Sequence, residues 1–139
     1  MTPETMAQLR SKLEHDEDRR TKPYTDSVGK TTIGVGHNLT DKGLPETIVD
    51  ELLTLDIDEA IADLNANLPW WSEMSERRQM VLANMCFNMG IKTLLGFHRT
   101  LAAMQNGEYE AAADGMVASA WAREVGPRAT RLITIMREG

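Results

Sequence analysis

The sequence predicts an α+β fold: one helix, a small antiparallel β-lobe, a long connecting helix and a larger helical lobe. Three observations carry this. Apolar residues recur at helical spacing over most of the chain. The stretch from Pro23 to His37 breaks that period with β-branched residues and with glycines at 29, 34 and 36. Gly96, Gly107 and Pro127 then punctuate the later helical stretches. The 139 residues are read as a single domain of two lobes.

Taken in order, Thr2-Pro3-Glu4 is a helix start. Thr2 can cap, Pro3 suits the first helical position and Glu4 complements the dipole. Met6, Leu9 and Leu13 form one apolar stripe, so the first helix is placed at about 2–18. The β-lobe follows at about 19–44, with a hairpin bending near Ser27-Val28-Gly29 and a loop from Asn38 to Leu44. Helical period returns from Pro45 through Ile48, Val49, Leu52, Leu53, Ile57, Ala60, Ile61 and Leu64, which places the connecting helix at about 45–66. The helical lobe occupies about 67–139. Pro69-Trp70-Trp71 breaks the long helix, and Ser75 caps the next, which stops at Gly90. Shorter helices are expected at about 92–95, 97–106, 108–120 and 128–137.

Composition narrows the function classes. Hydrophobic residues make up 42% of the chain, so a core is available, but aromatics are only 5%. Nine methionines must therefore share the filling with aliphatic side chains. The net charge of −6 gives no support for nucleic-acid binding and argues mildly against a polyanionic partner. Four arginines near the C-terminus (Arg123, Arg128, Arg131 and Arg137) set a local basic patch against that acidic whole. Cys86 is the lone cysteine, so no intramolecular disulfide forms, and its apolar neighbours mark it as a buried structural thiol. No apolar stretch approaches the ~18 residues that span a bilayer, and the first residues carry no secretory signal pattern.

Three residues draw chemical attention. Glu17 stands where a helix gives way to a turn, Asp26 in or beside the first strand, and Thr32 in the second. In a hairpin centred near Gly29, Asp26 and Thr32 are expected to face each other across the strands. Two carboxylates in different surroundings equip a site for glycosidic cleavage, one donating a proton and the other handling water or positive charge. The run from Glu14 to Arg20 has a second reading, a solvated charged helix face with i,i+4 pairs. Gly34 and Gly36 in one strand fit either close packing on a neighbour or room for a sugar chain.

The motifs then point one way. Asp16-Glu17, Tyr24, Asp26, Gly29 and Thr32-Ile33-Gly34-Val35-Gly36-His37 resemble the N-terminal signature of the phage T4-type lysozymes, glycoside hydrolase family 24. In that family a glutamate precedes a Tyr-x-Asp by seven residues, and Thr-Ile-Gly-x-Gly-His follows. Asp56 to Ala60, Asn84 to Gly90, Gly96-Phe97, Glu110 to Ala112, Ser119 to Trp121 and Arg128 to Thr134 are similar to later family segments, in family order. The resemblance covers about residues 6–139 and implies a lysozyme-like fold. It also implies that Glu17 is the general acid and that Asp26 and Thr32 position water, an inverting arrangement if the carboxylates stand wide apart. One departure stands beside the acid: the family usually has glycine after the glutamate, and this chain has Asp18.

The same resemblance implies a substrate, the β-1,4 bond between N-acetylmuramic acid and N-acetylglucosamine in peptidoglycan. It implies that Arg128 pairs with the catalytic glutamate and that His37 makes a structural ion pair with Asp56, with Tyr24 structural beside the site. Phe87 and Asn88 are candidates to line the cleft, Phe87 being equally readable as core. No cofactor and no metal are expected, since His37 has no ligand-spaced partner. The partners expected are peptidoglycan strands, with no nucleic acid and no stable membrane insertion. A monomer made in the host cytoplasm and released to the wall through a holin is expected. Two other functions share these residues: a wall-binding module that has lost catalysis, and a lytic transglycosylase. The second needs no water-positioning aspartate, so Asp26 and Thr32 disfavour it.

Overall fold

The computed structural model describes residues 1–139 and is mostly helical, with one small three-stranded antiparallel sheet, the α+β class the sequence predicts. It falls into two compact units, Met1–Asp50 and Glu51–Gly139. The boundary lies inside the long helix rather than in a linker.

In the first unit, α1 (Pro3–Glu17) starts as its sequence dictates, with the Thr2 hydroxyl accepting from Thr5 N at 3.1 Å. The strands β1 (Arg20–Thr25), β2 (Thr31–Gly34) and β3 (His37–Asn38) lie in that order in the sheet. A short helix, α2 (Leu39–Lys42), follows. The segment expected as a loop from Asn38 to Leu44 thus opens on the last residue of β3 and one turn of helix, and only Gly43 and Leu44 stay irregular. Asn38 makes the difference, because its Oδ1 accepts from Asp41 N and so caps α2.

The hairpin register differs from expectation. Thr32 pairs with Tyr24, and Thr25 with Thr31, so Asp26 does not face Thr32 across the strands. The bend is centred one residue earlier than Gly29. Asp26 opens a four-residue turn whose Gly29 N–H donates to the Asp26 carbonyl at 3.1 Å, and Gly29 takes a φ of +84°. A turn of this kind followed by a left-handed glycine gives a three-residue hairpin loop. The β1–β2 ladder also slips between Arg20 and Tyr24, where Pro23 withholds a backbone donor.

Gly34 and Gly36 do not share a strand. Gly34 ends β2, while Gly36 lies in the connection to β3, and both have positive φ, +69° and +68°.

In the second unit, α3 (Glu46–Asn67) runs on from the boundary to a 3₁₀ turn at Pro69–Glu73. Next come α4 (Glu76–Met89), α5 (Ile91–Leu95), α6 (His98–Gln105), α7 (Tyr109–Val117), α8 (Ala120–Val125) and α9 (Pro127–Glu138). The helix expected at 108–120 is divided: α7 stops at Val117, and Ser119 starts α8 by accepting from Ala122 N at 3.2 Å. The core is built on Leu64, Leu82, Met85, Leu94, Met104 and Met136, all without significant exposure. Methionine's flexible thioether fills the gaps that scarce aromatics leave. Arg78 donates to the Met136 carbonyl at 2.9 Å and lies over the Tyr109 ring, tying the end of α9 to α4 and α7. No helix is long and apolar enough to cross a membrane.

Candidate active site

Glu17, Asp26 and Thr32 all belong to the first unit. Glu17 is the last residue of α1 and is exposed. Its carboxyl group lies against the β2–β3 connection: a Cβ added at Gly36 would meet Glu17 Oε2 at 2.9 Å and Cδ at 3.2 Å. Gly36 is therefore needed twice over, for its positive φ and for the space its missing side chain leaves to the carboxylate. Of the two readings of the glycine pair, close packing on a neighbour holds at Gly36, and the neighbour is Glu17. At Gly34 an added Cβ would meet nothing within 4 Å, so its positive φ is the constraint there.

Asp26 is half-buried at the hairpin corner. Its Oδ1 accepts from Val28 N at 3.0 Å and Lys30 N at 2.8 Å, and its own N–H donates to the Lys30 carbonyl at 2.9 Å. Oδ2 makes no hydrogen bond within the protein. Thr32 is buried, at 3% exposure, and its hydroxyl donates to that same Lys30 carbonyl at 3.1 Å. The two residues are thus joined through the Lys30 peptide group rather than as a cross-strand pair. Sequence reasoning missed Lys30, although a signal was present: Asp at the first and Gly at the fourth position of a four-residue stretch favours a type I turn, which sets this register.

A hydroxyl carries one hydrogen, and Thr32 commits it to Lys30. What Thr32 offers a ligand is therefore acceptor capacity alone. Asp26, with Oδ1 engaged twice, offers Oδ2. Both are acceptors, which suits a molecule with two hydrogens to donate.

Tyr24 lies opposite Thr32 in the ladder and carries the Arg20 guanidinium over its ring, 4.3 Å from the centroid. His37 Nε2 donates to the Gly43 carbonyl at 2.7 Å. The partner of this ring in its own unit is a backbone carbonyl just past α2, where the resemblance implied the carboxylate of Asp56. Around α2, Thr40 Oγ1 accepts from Thr31 N at 2.8 Å and Asp41 pairs with Lys30 at 3.1 Å, so the short helix holds the start of β2.

The other candidates lie in the second unit. Arg128 donates through Nε, at 2.9 Å, and through Nη2 to Asn84 Oδ1. Arg128, Asn84 and Phe87 line one pocket of about 370 Å³ together with Leu53, Ile57 and Met80. Asn88 belongs elsewhere. Its Oδ1 accepts from Trp121 Nε1 at 2.9 Å, and it lines a separate pocket with Trp121 and Phe97. Phe87 and Asn88 thus line two different pockets, because adjacent residues on a helix point about 100° apart. Asn84 is a second residue that sequence reasoning missed. Nothing in its local pattern marks it as the partner of an arginine 44 positions away.

Asp56 lines a third depression with Glu59, Asp63 and Cys86. Burial pushes the Cys86 thiol up from its ordinary value, and the nearby Asp63 and Glu59 charges add to that. As expected, this cysteine is a buried structural thiol.

Comparison with known proteins gives a consistent picture. The profile of the phage lysozyme family matches residues 14–137. The chain is 29% identical, over 155 aligned positions, to the pre-baseplate central spike protein Gp5 of Enterobacteria phage T4. That alignment covers 91% of this chain and 27% of the spike protein, so the chain spans about a quarter of that relative's length. Two proteins of Dictyostelium discoideum, probable T4-type lysozymes 1 and 2, are 23% and 24% identical, with 96% of each partner covered.

Proposed function

The chain belongs to the phage lysozyme family, a family of glycoside hydrolases, and from that premise we propose that it is a muramidase cutting peptidoglycan by inversion. Glu17 donates a proton to the leaving glycosidic oxygen. Asp26 and Thr32 hold the water that attacks the anomeric carbon of N-acetylmuramic acid from the opposite face.

The observation that carries this proposal is the hydrogen bonding at Lys30. Thr32 Oγ1 has spent its only hydrogen, and Asp26 Oδ1 is saturated by two backbone N–H groups. A water that donates one hydrogen to Thr32 Oγ1 and the other to Asp26 Oδ2 keeps a lone pair free to attack. Asp26 then takes the proton that the water loses as the new C–O bond forms. The glycosidic C–O bond breaks as Glu17 protonates the departing oxygen. A carboxylate fixed in a tight turn serves better as a base acting through water than as a nucleophile that must reach the sugar. Arg128, with Asn84 and Phe87, is assigned to substrate contact, Arg128 offering donors to acidic or amide groups of the wall.

Turbidity clearing of bacterial walls by wild type and by Glu17→Gln tests the assignment. Undiminished clearing by the variant would sink it. Proton NMR of the first-formed reducing ends tests the stereochemistry: inversion gives the α-anomer, while retention or an anhydro-sugar excludes the proposed water.

Host lysis is the role that fits a cytoplasmic product released through a holin lesion. A second role, wall penetration during entry, is favoured by the 29% identity to a pre-baseplate central spike protein. Entry predicts the protein in purified particles; lysis predicts it in late-infected cells alone.

A further inference from the structure

The residue after the candidate acid is the only non-glycine residue of the chain with positive φ: Asp18, at φ 68° and ψ 161°. This is backbone that is essentially the preserve of glycine. A chain that keeps aspartate there accepts strain at the one joint between α1 and β1, next to Glu17.

The side chain of Asp18 is engaged on both sides. Oδ1 accepts from Arg19 N at 3.0 Å, and Oδ2 pairs with Arg20 Nε at 3.4 Å. Arg20 in turn lies over the Tyr24 ring, and its backbone pairs with Gly34. Gly34 leads through Val35 to Gly36, and Gly36 is where the Glu17 carboxylate rests. The path from Glu17 through Asp18, Arg20, Gly34 and Gly36 closes on itself. Each link is a covalent bond, a hydrogen bond, a ladder pair or a van der Waals contact.

Resting on the muramidase reading above, we propose that Asp18 is a positioning residue: it locks the joint between α1 and β1 and thereby holds Glu17 in the cradle at Gly36. Glycine at this position fits the backbone without strain but leaves the joint free to sample both signs of φ. Asp18 gives up stability and gains a fixed direction for the end of α1. The two effects have opposite signs in experiment, which separates positioning from a merely structural role.

The test measures kcat and KM on soluble, uncross-linked peptidoglycan strands, together with Tm, for wild type, Asp18→Gly and Asp18→Asn, with Glu17→Gln alongside. Asp18→Gly relieves strain, so it folds, and its Tm is expected to rise by about 3–8 °C. Its kcat is expected to fall about three- to tenfold with KM within twofold, because a displaced acid loses rate rather than binding. Asn has the same shape as Asp, carries the same backbone strain and keeps the Oδ1 acceptor for Arg19 N, losing only the exposed pairing with Arg20 Nε, so Asp18→Asn is expected to keep kcat within about twofold of wild type. Full kcat in Asp18→Gly overturns the proposal. So does an Asp18→Asn variant as slow as Asp18→Gly, which would make charge rather than geometry the cause. If Glu17→Gln matches wild type, the muramidase reading itself has failed. If Glu17→Gln is inactive while Asp18→Gly keeps full kcat, only the positioning role has failed.

Discussion

In the first unit a single residue, Thr32, is buried, while every buried hydrophobic residue of the chain belongs to the second. The two are held by different physics. The second rests on apolar packing, which is non-directional and tolerates exchange of side chains of similar volume. The first rests on directional hydrogen bonds: Asp26 in its turn, Thr40 on Thr31, Asn38 and Lys30 on Asp41, His37 on Gly43. Directional bonds fix atoms to fractions of an ångström, which is what acid, base and water need. Packing supplies most of the stability. The unit that carries the proposed chemistry is therefore the one where substitutions cost activity first, and the packed unit is where they cost stability first.

Four measurements press on that contrast, the largest effect first. Glu17→Gln is expected to lower the hydrolytic rate by about 10²–10⁴ while leaving Tm unchanged, since Glu17 is exposed and makes no structural hydrogen bond. A falling Tm would show that the acid also holds its unit together. Leu82→Ala removes a fully buried side chain from the second unit, and urea titration should read a loss of about 2–5 kcal/mol. A loss below about 1 kcal/mol would break the contrast, because surface substitutions also fall in that range.

Gly36→Ala sharpens the comparison. The new Cβ meets the flexible end of Glu17, which swings away, and φ +68° is strained for alanine. Stability should fall by about 1–2 kcal/mol and activity by about tenfold or more, with KM nearly constant. The smallest effect is a pH dependence. The Cys86 thiol is raised above its ordinary 9.0 by burial and by Asp63 and Glu59. Its folded-state value is higher than its unfolded one, so its contribution is fully present below pH 9.0 and is lost as pH rises through the folded value. Stability of the wild type should therefore decline above pH 9.0, and Cys86→Ala should flatten that part of the decline in a Tm-against-pH series.

Both units were legible in part. Thr2 and Ser75 announced their helices, because a cap is a local signal read from three or four adjacent residues. The hairpin was legible as a hairpin, yet its bend came out one residue off and its pairing therefore two. Placing the bend on Gly29 paired Asp26 with Thr32; the turn starting at Asp26 pairs Tyr24 with Thr32 instead. A shift of one residue in the bend moves every cross-strand partner, so a small local error becomes a wrong site geometry. The division of the helix expected at 108–120 was missed for a similar reason. Ser119 falls within that span, and it acts as a cap.

By itself the sequence determined the order and kind of the elements, the α+β class, membership in a lysozyme family and the identity of Glu17, Asp26 and Thr32 as the residues of interest. These follow from periodicity, from caps and from motif, all of which are contiguous along the chain. The tertiary structure decided what those residues touch. It joined Asp26 to Thr32 through the Lys30 peptide, rested Glu17 on Gly36, gave Asp18 a glycine's backbone and sent Phe87 and Asn88 to different pockets. The physical reason is distance along the chain. Glu17 and Gly36 are nineteen residues apart, and Arg128 and Asn84 are forty-four, so their contacts depend on turns and packing that no local pattern encodes.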